Sequence, residues 1–271
     1  MKTKLLLCIA ALTFSNLSMA ETVLNAPEYK PLNNVRVSMQ RMLRSSEGRY
    51  FLSLYAGIWN PHATLYDLIE DQTINLKGLQ KGDQLNLKSV DADPENITSR
   101  TYQLSGMLNA NSGDLKAMFA EGDDTLGKSI QFEPAIKVAD KPNFIFKFYG
   151  LEDTQQPYSS VLKRVDIVNK NNNSVVQALS GFSAFPKSIG YMDVNFDGYY
   201  DIVLSDISEE RTIQDKRYIY WMFNPKTQQF QRSPQLERII GFPKLQGDKQ
   251  QIDFGDGQVY QVEKGLLNRI E

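Results

Sequence analysis

Residues 191–206 read YMDVNFDGYYDIVLSD, and this stretch decides how the second half of the chain is interpreted. Oxygen-bearing side chains recur at alternate positions, then a glycine and a further carboxylate follow: Asp193, Asn195, Asp197, Gly198 and Asp201. A spacing of two places alternate side chains on the inner side of a tight loop, and glycine permits the positive φ that turns the chain. Hard oxygen donors in this order, with a backbone carbonyl between the last two, are typical of a calcium loop.

The predicted calcium ligands are the side chains of Asp193, Asn195, Asp197 and Asp201 and the backbone carbonyl of Tyr199. A helical calcium hand closes with a bidentate Glu at the twelfth loop position, but this chain has Leu204 there. The flanking residues 188–192 and 200–205 are strand-like, so the pattern predicts a strand–loop–strand site with a structural calcium ion. The alternative is an Asx-rich turn without metal, in which the carboxylates accept hydrogen bonds from the local backbone.

The first twenty residues have the pattern of a signal peptide. Lys2 and Lys4 precede an apolar core over residues 5–14, and Ser18-Met19-Ala20 is a small-x-small cleavage site. The only cysteine, Cys8, lies in that core, so the mature chain is expected to form no disulfide. The pattern predicts a periplasmic or secreted protein.

Charge and hydropathy exclude several classes of partner. The chain has 30 Lys and Arg against 32 Asp and Glu, and this near-neutral balance argues against nucleic acid or an anionic membrane as the main partner. No later stretch approaches about 18 consecutive apolar residues, so no transmembrane segment is predicted. The sequence leaves the oligomeric state open.

The N-terminal half changes its hydrophobic period near Arg49. Residues 21–45 form a polar lead, in which Val35, Met39 and Met42 at i, i+4 and i+7 predict a short helix over about residues 35–44. Residues 46–140 alternate with period two in short segments separated by turns such as Lys81-Gly82-Asp83. This half is therefore predicted to be a small antiparallel β-barrel or sandwich.

Residues 143–271 are predicted to form a second β-domain around the calcium loop. Strand-like segments cover residues 144–149, 161–168, 175–179 and 217–223, and further turns lie at 224–227 and 255–257. Asp140–Asn143 is the best boundary between the two halves. The fold class is therefore mostly β.

Catalytic chemistry has few candidates in this chain. His62 is the only histidine, which leaves no zinc-type ligand set, and no glycine-rich phosphate loop is present. Carboxylates of the kind that glycosidases use in pairs are more simply read as solvated turn residues: Glu121, Asp123, Asp124, Asp153, Glu209 and Glu210. No catalytic residue and no cofactor other than calcium is predicted, and the chain is interpreted as a non-enzyme.

Exposed aromatic side chains are the remaining signal for binding. Aromatics are frequent beside the loop, and the pattern leaves Tyr199 and Phe185-Pro186 free to face solvent. Such residues serve as anchors in protein interfaces or stack on sugars.

Residues 190–206 resemble the calcium loop of FG-GAP and integrin-type repeats, where GDVNGDGxxDLxxG is usual; here Phe196 fills a position often held by glycine. Residues 143–270 resemble a group of bacterial envelope proteins. In that group DxNFDGYxD precedes an aromatic strand and an Asn/Asp-Pro-Lys-Thr turn, which match Asp193–Asp201, Arg217–Phe223 and Asn224–Thr227. The resemblance implies an incomplete, propeller-like β-domain with the five calcium ligands named above.

Some members of this group are periplasmic immunity proteins that inhibit peptidoglycan hydrolases. The resemblance therefore implies a protein partner, a cell-wall hydrolase, met by an inserted loop. Two alternatives stay open from the residues: a carbohydrate-binding or adhesin-like module that uses exposed aromatics, and a carboxylate-based hydrolase.

Overall fold

The computed structural model of the chain describes residues 29–90, 101–122, 126–152, 158–208 and 211–270. These residues are nearly all in β-strands or in the turns between them, which confirms the mostly β prediction. The predicted signal peptide, residues 1–20, lies outside this part of the chain. Among the described residues no helix is both long and apolar enough to cross a membrane.

Eight consecutive strands of the N-terminal half close into an antiparallel barrel. After a two-residue strand, β1 (Lys30–Pro31), they are β2 (Val37–Ser45), β3 (Tyr50–Ala56), β4 (His62–Asp67), β5 (Gln72–Lys81), β6 (Gln84–Ser89), β7 (Tyr102–Leu108), β8 (Leu115–Glu121) and β9 (Lys128–Pro134). Each strand pairs with the next, and β2 pairs with β9, where Leu43 faces Pro134. Closure leaves no free edge, so of the two predicted architectures for this half the structure has the barrel.

Apolar side chains fill the barrel interior. They come from all eight strands, and leucines at the centre are fully buried, among them Leu52, Leu65, Leu85 and Leu104. In β6 the inward leucines alternate with outward polar residues, as a strand with one buried face requires. The barrel is a packed core, so any ligand must be met at its ends or outside it.

The short helix predicted over residues 35–44 is wrong, because Val37–Ser45 is strand β2. Both faces of this strand are covered: Leu43 points into the barrel, whereas Met42 packs against the cluster formed by the C-terminal sheet. A strand buried on both faces loses its alternating pattern. The helical spacing of Val35, Met39 and Met42 is therefore a coincidence.

Seven further strands extend the barrel sheet. They are β10 (Phe144–Glu152), β11 (Ser160–Asn169), β12 (Val175–Leu179), β13 (Ala184–Met192), β14 (Asp201–Asp206), β15 (Tyr218–Asn224) and β16 (Gln229–Arg232), with a 3-10 helix, Ile213–Asp215, before β15. Strand β13 pairs in parallel with β2, so that β1 to β16 form one sheet of 16 strands.

The prediction of an incomplete propeller-like domain is wrong. Propeller blades are separate antiparallel sheets arranged around a channel. Here the strands of the second half continue from barrel strand β2 through the parallel β2–β13 pairing, and strand β2 thus belongs to both halves.

The C-terminal residues form a small second sheet. A four-residue helix, α1 (Pro234–Glu237), precedes β17 (Lys244–Gln246), β18 (Gln251–Asp253), β19 (Val259–Glu263) and β20 (Leu266–Arg269). Ile252 and Phe254 of this sheet share a hydrophobic cluster with Tyr220 of β15 and Phe196 of the predicted calcium loop. The sheet therefore packs against the loop and holds it in place.

Candidate functional site

The predicted calcium loop closes the hairpin between β13 and β14, where Met192 pairs with Asp201. Two residues of the loop take positive φ: Gly198, at 88°, and Phe196, at 56°. A left-handed backbone is unfavourable for a bulky residue such as Phe. The Phe196 ring is buried in the cluster shared with the C-terminal sheet, and this burial offsets the backbone cost.

The carboxylates at the start of the loop accept hydrogen bonds from its own backbone. Asp193, which is 3% exposed, accepts from the amides of Asp197 at 3.0 Å and Gly198 at 2.9 Å. Asp197 accepts from the Tyr199 amide and from the Asn195 side-chain amide, each at 2.9 Å. These bonds are the local Asx pattern, which holds the loop closed around its carboxylates.

Asp201 performs a different task, because it joins the loop to a neighbouring strand. Its carboxylate is completely buried and accepts from the Val194 amide at 2.9 Å and from the Phe223 amide of β15 at 2.8 Å. Each ionised carboxylate oxygen has a second lone pair. These two bonds therefore leave Asp201 able to act as a metal ligand.

The loop concentrates negative charge in a poorly solvated place. Burial, reinforced by the charge of Asp197, raises the pKa of the Asp193 carboxyl to about 7. Burial also raises the pKa of Asp201 well above its ordinary value, against the hydrogen bonds from the Phe223 and Val194 amides. Both raised pKa values mean that the ionised forms of these carboxylates are destabilised, because too little positive charge lies nearby to compensate them.

One oxygen of the predicted ligand set has no partner. The side-chain oxygen of Asn195 is buried and accepts no hydrogen bond in the described part of the chain. In the same part, no three Asp, Glu, His or Cys side chains converge closely enough to hold a metal ion. The other two predicted ligands, the side chain of Asn195 and the backbone carbonyl of Tyr199, are not among these four residue types. The five predicted ligands thus lie in one loop, with the three carboxylates engaged by N–H donors.

A cavity of about 500 Å³ separates this loop from the barrel. It lies at the barrel end that carries the β7–β8 turn, and its walls include Arg41 of β2, Lys141 of the β9–β10 connection, Asp193 and Tyr200. Gly198 lies against that same connection, since a Cβ on it would come within 2.6 Å of Val138. The sequence did not indicate this cavity, because its walls come from four separate segments.

His62 occupies a structural position. Its ring stacks on Tyr55 with centroids 4.5 Å apart, and Nδ1 lies 2.8 Å from the carbonyl oxygen of Asn60. Of the carboxylates considered for paired catalysis, Glu121 is an exposed residue at the end of β8. The others lie outside the described residues: Asp123, Asp124, Asp153, Glu209 and Glu210.

Within the described residues, the aromatic side chain that is exposed is not one that the sequence singled out. Tyr199 is half-buried against Phe223, and Phe185 is half-buried against Tyr158. In contrast, Trp59 is 45% exposed and its neighbour Ile58 is 70% exposed in the β3–β4 loop. Two large apolar residues between Gly57 and Pro61, in a turn expected to be polar, are the signal that could have found them.

The β3–β4 loop is held at its base. The Gly57 amide donates to the side-chain oxygen of Gln80 at 2.8 Å, and the His62–Tyr55 stack lies where the loop joins β4. The Arg36 guanidinium lies 4.2 Å from the centroid of the Trp59 ring. The loop therefore presents Trp59 and Ile58 from a fixed support.

A scan against models of known protein families finds no match for this chain, and a search of curated protein sequences finds none either. The resemblance to envelope immunity proteins therefore stays a prediction, and the functional proposals rest on the geometry of the loop and of the exposed residues.

Proposed function

We propose that this chain is an exported binding protein that inhibits a cell-wall hydrolase, and that its β3–β4 loop makes the contact. The observation that supports it is the exposed pair Ile58 and Trp59, with Arg36 beside the Trp59 ring. Trp and Arg are the residue types enriched at the energetic centres of protein interfaces. Because the loop is already held at its base, binding would order few additional side chains.

Replacement of both Ile58 and Trp59 by Ala is expected to weaken inhibition of a lysozyme-type peptidoglycan hydrolase by at least about 30-fold. Loss of a central aromatic anchor costs about 2 kcal/mol or more in binding free energy. The measurement is the rate of peptidoglycan hydrolysis at increasing concentrations of the wild-type protein and of the variant.

Ile69→Ala is the matched control for this experiment. Ile69 is 71% exposed in the turn after β4, at the opposite end of that strand from Ile58. The control is expected to inhibit like the wild type. Unchanged inhibition by the Ile58/Trp59 variant would contradict the assignment of this loop, and glycan binding without hydrolase inhibition would favour a carbohydrate-binding module instead. Turnover of peptidoglycan by the pure protein would favour a hydrolase.

The same proposal gives the Asp193–Asp201 loop a calcium ion that stabilises the second half of the chain. The residues fit the ion: all the donors are hard oxygens, the side-chain oxygen of Asn195 lacks a partner, and Asp193 and Asp201 are buried carboxylates. A bound divalent cation would supply the positive charge that offsets the repulsion between these carboxylates. The ligands would be Asp193, Asn195, Asp197, Asp201 and the Tyr199 carbonyl.

Calcium added to chelator-treated protein is expected to raise its melting temperature, and Asp197→Ala is expected to abolish that rise. At a concentration about 100 times Kd, binding stabilises the folded state by about 2.7 kcal/mol. For a chain of this size the change corresponds to a shift in Tm of about 5–10 °C. Calorimetry with and without calcium measures it.

Asp253→Ala provides the comparison for Asp197→Ala. Asp253 accepts a backbone hydrogen bond from Gly255 in the β18–β19 turn, so its replacement also removes an Asx contact, outside the predicted calcium loop. This variant is expected to keep the full calcium-dependent shift. A wild-type protein that does not respond to calcium, or an Asp197→Ala variant that keeps the whole response, would show that the loop is an Asx turn without metal.

A further inference from the structure

Arg41 is a buried cation without a salt bridge. It is 7% exposed, and no Asp or Glu lies within salt-bridge distance of it among the described residues. Its Nη2 donates to the carbonyl oxygen of Ala110 at 2.7 Å and its guanidinium also interacts with the Tyr200 side chain, whereas its Nε is buried and has no acceptor among the described residues. A buried guanidinium donor without an acceptor is costly, and a bound water, ion or ligand is one way in which such a group is satisfied.

The position of Arg41 on β2 directs it to the mouth of the barrel. Arg41 lies two residues before Leu43, whose side chain is inside the barrel, and alternate residues of a strand share a face. It pairs across the sheet with Leu54, another interior residue. The guanidinium therefore stands at the end of the packed core, where it lines the cavity described above.

A second cation lines the same cavity. Lys141 belongs to an exposed segment, yet its ammonium lies 3.6 Å from the centroid of the Tyr200 ring. The charged atom is thus screened from solvent on one side, and this burial lowers the pKa of Lys141 to about 8. The carboxylate of Asp193 attracts the Lys141 ammonium and opposes this lowering, and the smaller effect of Arg41 adds to it. An anion between the two cations would relieve their mutual repulsion.

The other charged groups of the cavity are partly engaged. Asp193 accepts two backbone hydrogen bonds, and Asp114 accepts from the Ser112 hydroxyl at 2.7 Å. Lys137 forms an ion pair with Glu133 at 2.7 Å. Arg41 and Lys141 are the cations of the cavity that form no ion pair within the described residues.

Apolar and uncharged polar side chains share the rest of the wall. The apolar ones include Met39, Met42, Ile136, Val138 and Phe144, and the polar ones include Asn111, Ser112 and Asn143. A volume of about 500 Å³ is within the range of sites for small organic molecules. The mouth of a β-barrel is a common place for such a site.

We propose that this cavity binds a small organic monocarboxylate with an apolar body, whose anionic group is held by Arg41 and Lys141 and whose apolar part lies against the methionines and Val138. Guanidinium and ammonium groups form strong, charge-assisted hydrogen bonds with anionic groups such as carboxylates. The site is separate from the exposed β3–β4 loop, and the inference requires neither the hydrolase partner nor the calcium ion.

Isothermal titration with three probes of equal chain length tests the chemistry. Octanoate is expected to bind, whereas octanol and octylammonium are expected to bind at least about tenfold more weakly, because a charge-assisted hydrogen bond contributes a factor of about ten or more. The full mature chain is titrated. Chelator from any earlier removal of calcium is first dialysed away, because it is itself a polycarboxylate. Equal affinity for octanoate and octanol, or no octanoate binding, would overturn the proposal.

Two variants test the residues. Arg41→Met and Lys141→Met are each expected to weaken octanoate binding by about tenfold or more. Lys244→Met is the control and is expected to have no effect, because Lys244 is an exposed residue of β17 that does not line the cavity. If Arg41→Met does not fold, as judged by circular dichroism, Lys141→Met decides the outcome, because its side chain belongs to an exposed segment. Undiminished octanoate binding by Lys141→Met would refute the assigned anion site.

Discussion

Asp201→Ala is expected to lower the free energy of unfolding by about 3 kcal/mol, in calcium and in chelator alike. The substitution leaves two buried backbone amides, those of Val194 and Phe223, without their acceptor. Each orphaned buried donor costs about 1–3 kcal/mol. The two orphaned amides together would therefore cost about 2–6 kcal/mol. Removal of the buried charge of Asp201 offsets part of this cost, so we expect a loss in the lower half of that range.

The chelator condition separates two roles of Asp201. As a metal ligand alone, Asp201 would contribute no stability once calcium is removed. As the acceptor that joins the loop to β15, it contributes with or without the ion. Denaturant unfolding in both conditions measures the contribution, and an Asp201→Ala variant as stable as the wild type in chelator would contradict the structural role.

Asp197→Ala is the appropriate comparison in the same buffers. The contacts of Asp197 are confined to its own loop, with the Tyr199 amide and the Asn195 side chain, and the residue is half-buried. Its loss in chelator is therefore expected to cost about 1 kcal/mol or less. The two substitutions would then have different effects. Asp197→Ala would abolish the stabilisation by calcium, whereas Asp201→Ala would lower the stability of the calcium-free protein.

Leu85→Ala is expected to destabilise the protein by about 2–5 kcal/mol. Leu85 of β6 is fully buried in the barrel, which is filled by side chains from all eight strands. Truncation removes buried methyl and methylene groups and leaves a space that the closed sheet can collapse into only partly. Thermal and denaturant unfolding measure the loss.

Leu79→Ala makes the same chemical change on the outside of the barrel. Leu79 lies on the neighbouring strand β5, opposite Asn86 of β6, and is 75% exposed. Its truncation is expected to alter stability by no more than about 0.5 kcal/mol. Similar effects of the two substitutions would mean that the assignment of inward and outward faces in β5 and β6 is incorrect.

The strands of the barrel could be predicted from local pattern, and β6 shows why. Leu85 and Leu87 are buried, whereas Gln84, Asn86 and Lys88 are exposed, so one buried face produces a visible period of two. The turn at Lys81-Gly82-Asp83 adds the hairpin signal, with Gly82 in the left-handed region. Such information is contained in about ten consecutive residues.

Strand β2 shows where local pattern fails. It pairs with β3, β9 and β13, and Arg44 is its only exposed residue. Leu43 packs in the barrel core and Met42 packs against the cluster of the C-terminal sheet, so the apolar residues of β2 serve two cores. The incorrect helix over residues 35–44 has this cause. The incorrect propeller was implied instead by the resemblance of residues 143–270, and the parallel β2–β13 pairing overturns it. Neither the parallel β2–β13 pairing nor the β2–β9 closure leaves a periodic signal in either partner.

The loop at residues 193–201 divides in the same way. Its spacing of oxygen donors and the turn at Gly198 follow from local chemistry, because the carboxylates bond amides no more than seven residues away, apart from the Asp201 bond to Phe223. The positive φ of Phe196 depends instead on distant residues of the C-terminal sheet that bury its ring.

Local order along the chain thus specifies the strands that have one buried face, the turns and the spacing of oxygen donors in the loop, since each depends on neighbours in sequence. Closure of the barrel, the sharing of β2 and the cavity around Arg41 depend on segments that lie far apart in sequence. The physical reason is that the burial of a residue and the charges around it are set only when those segments meet. The spacing of residues along the sequence does not encode them.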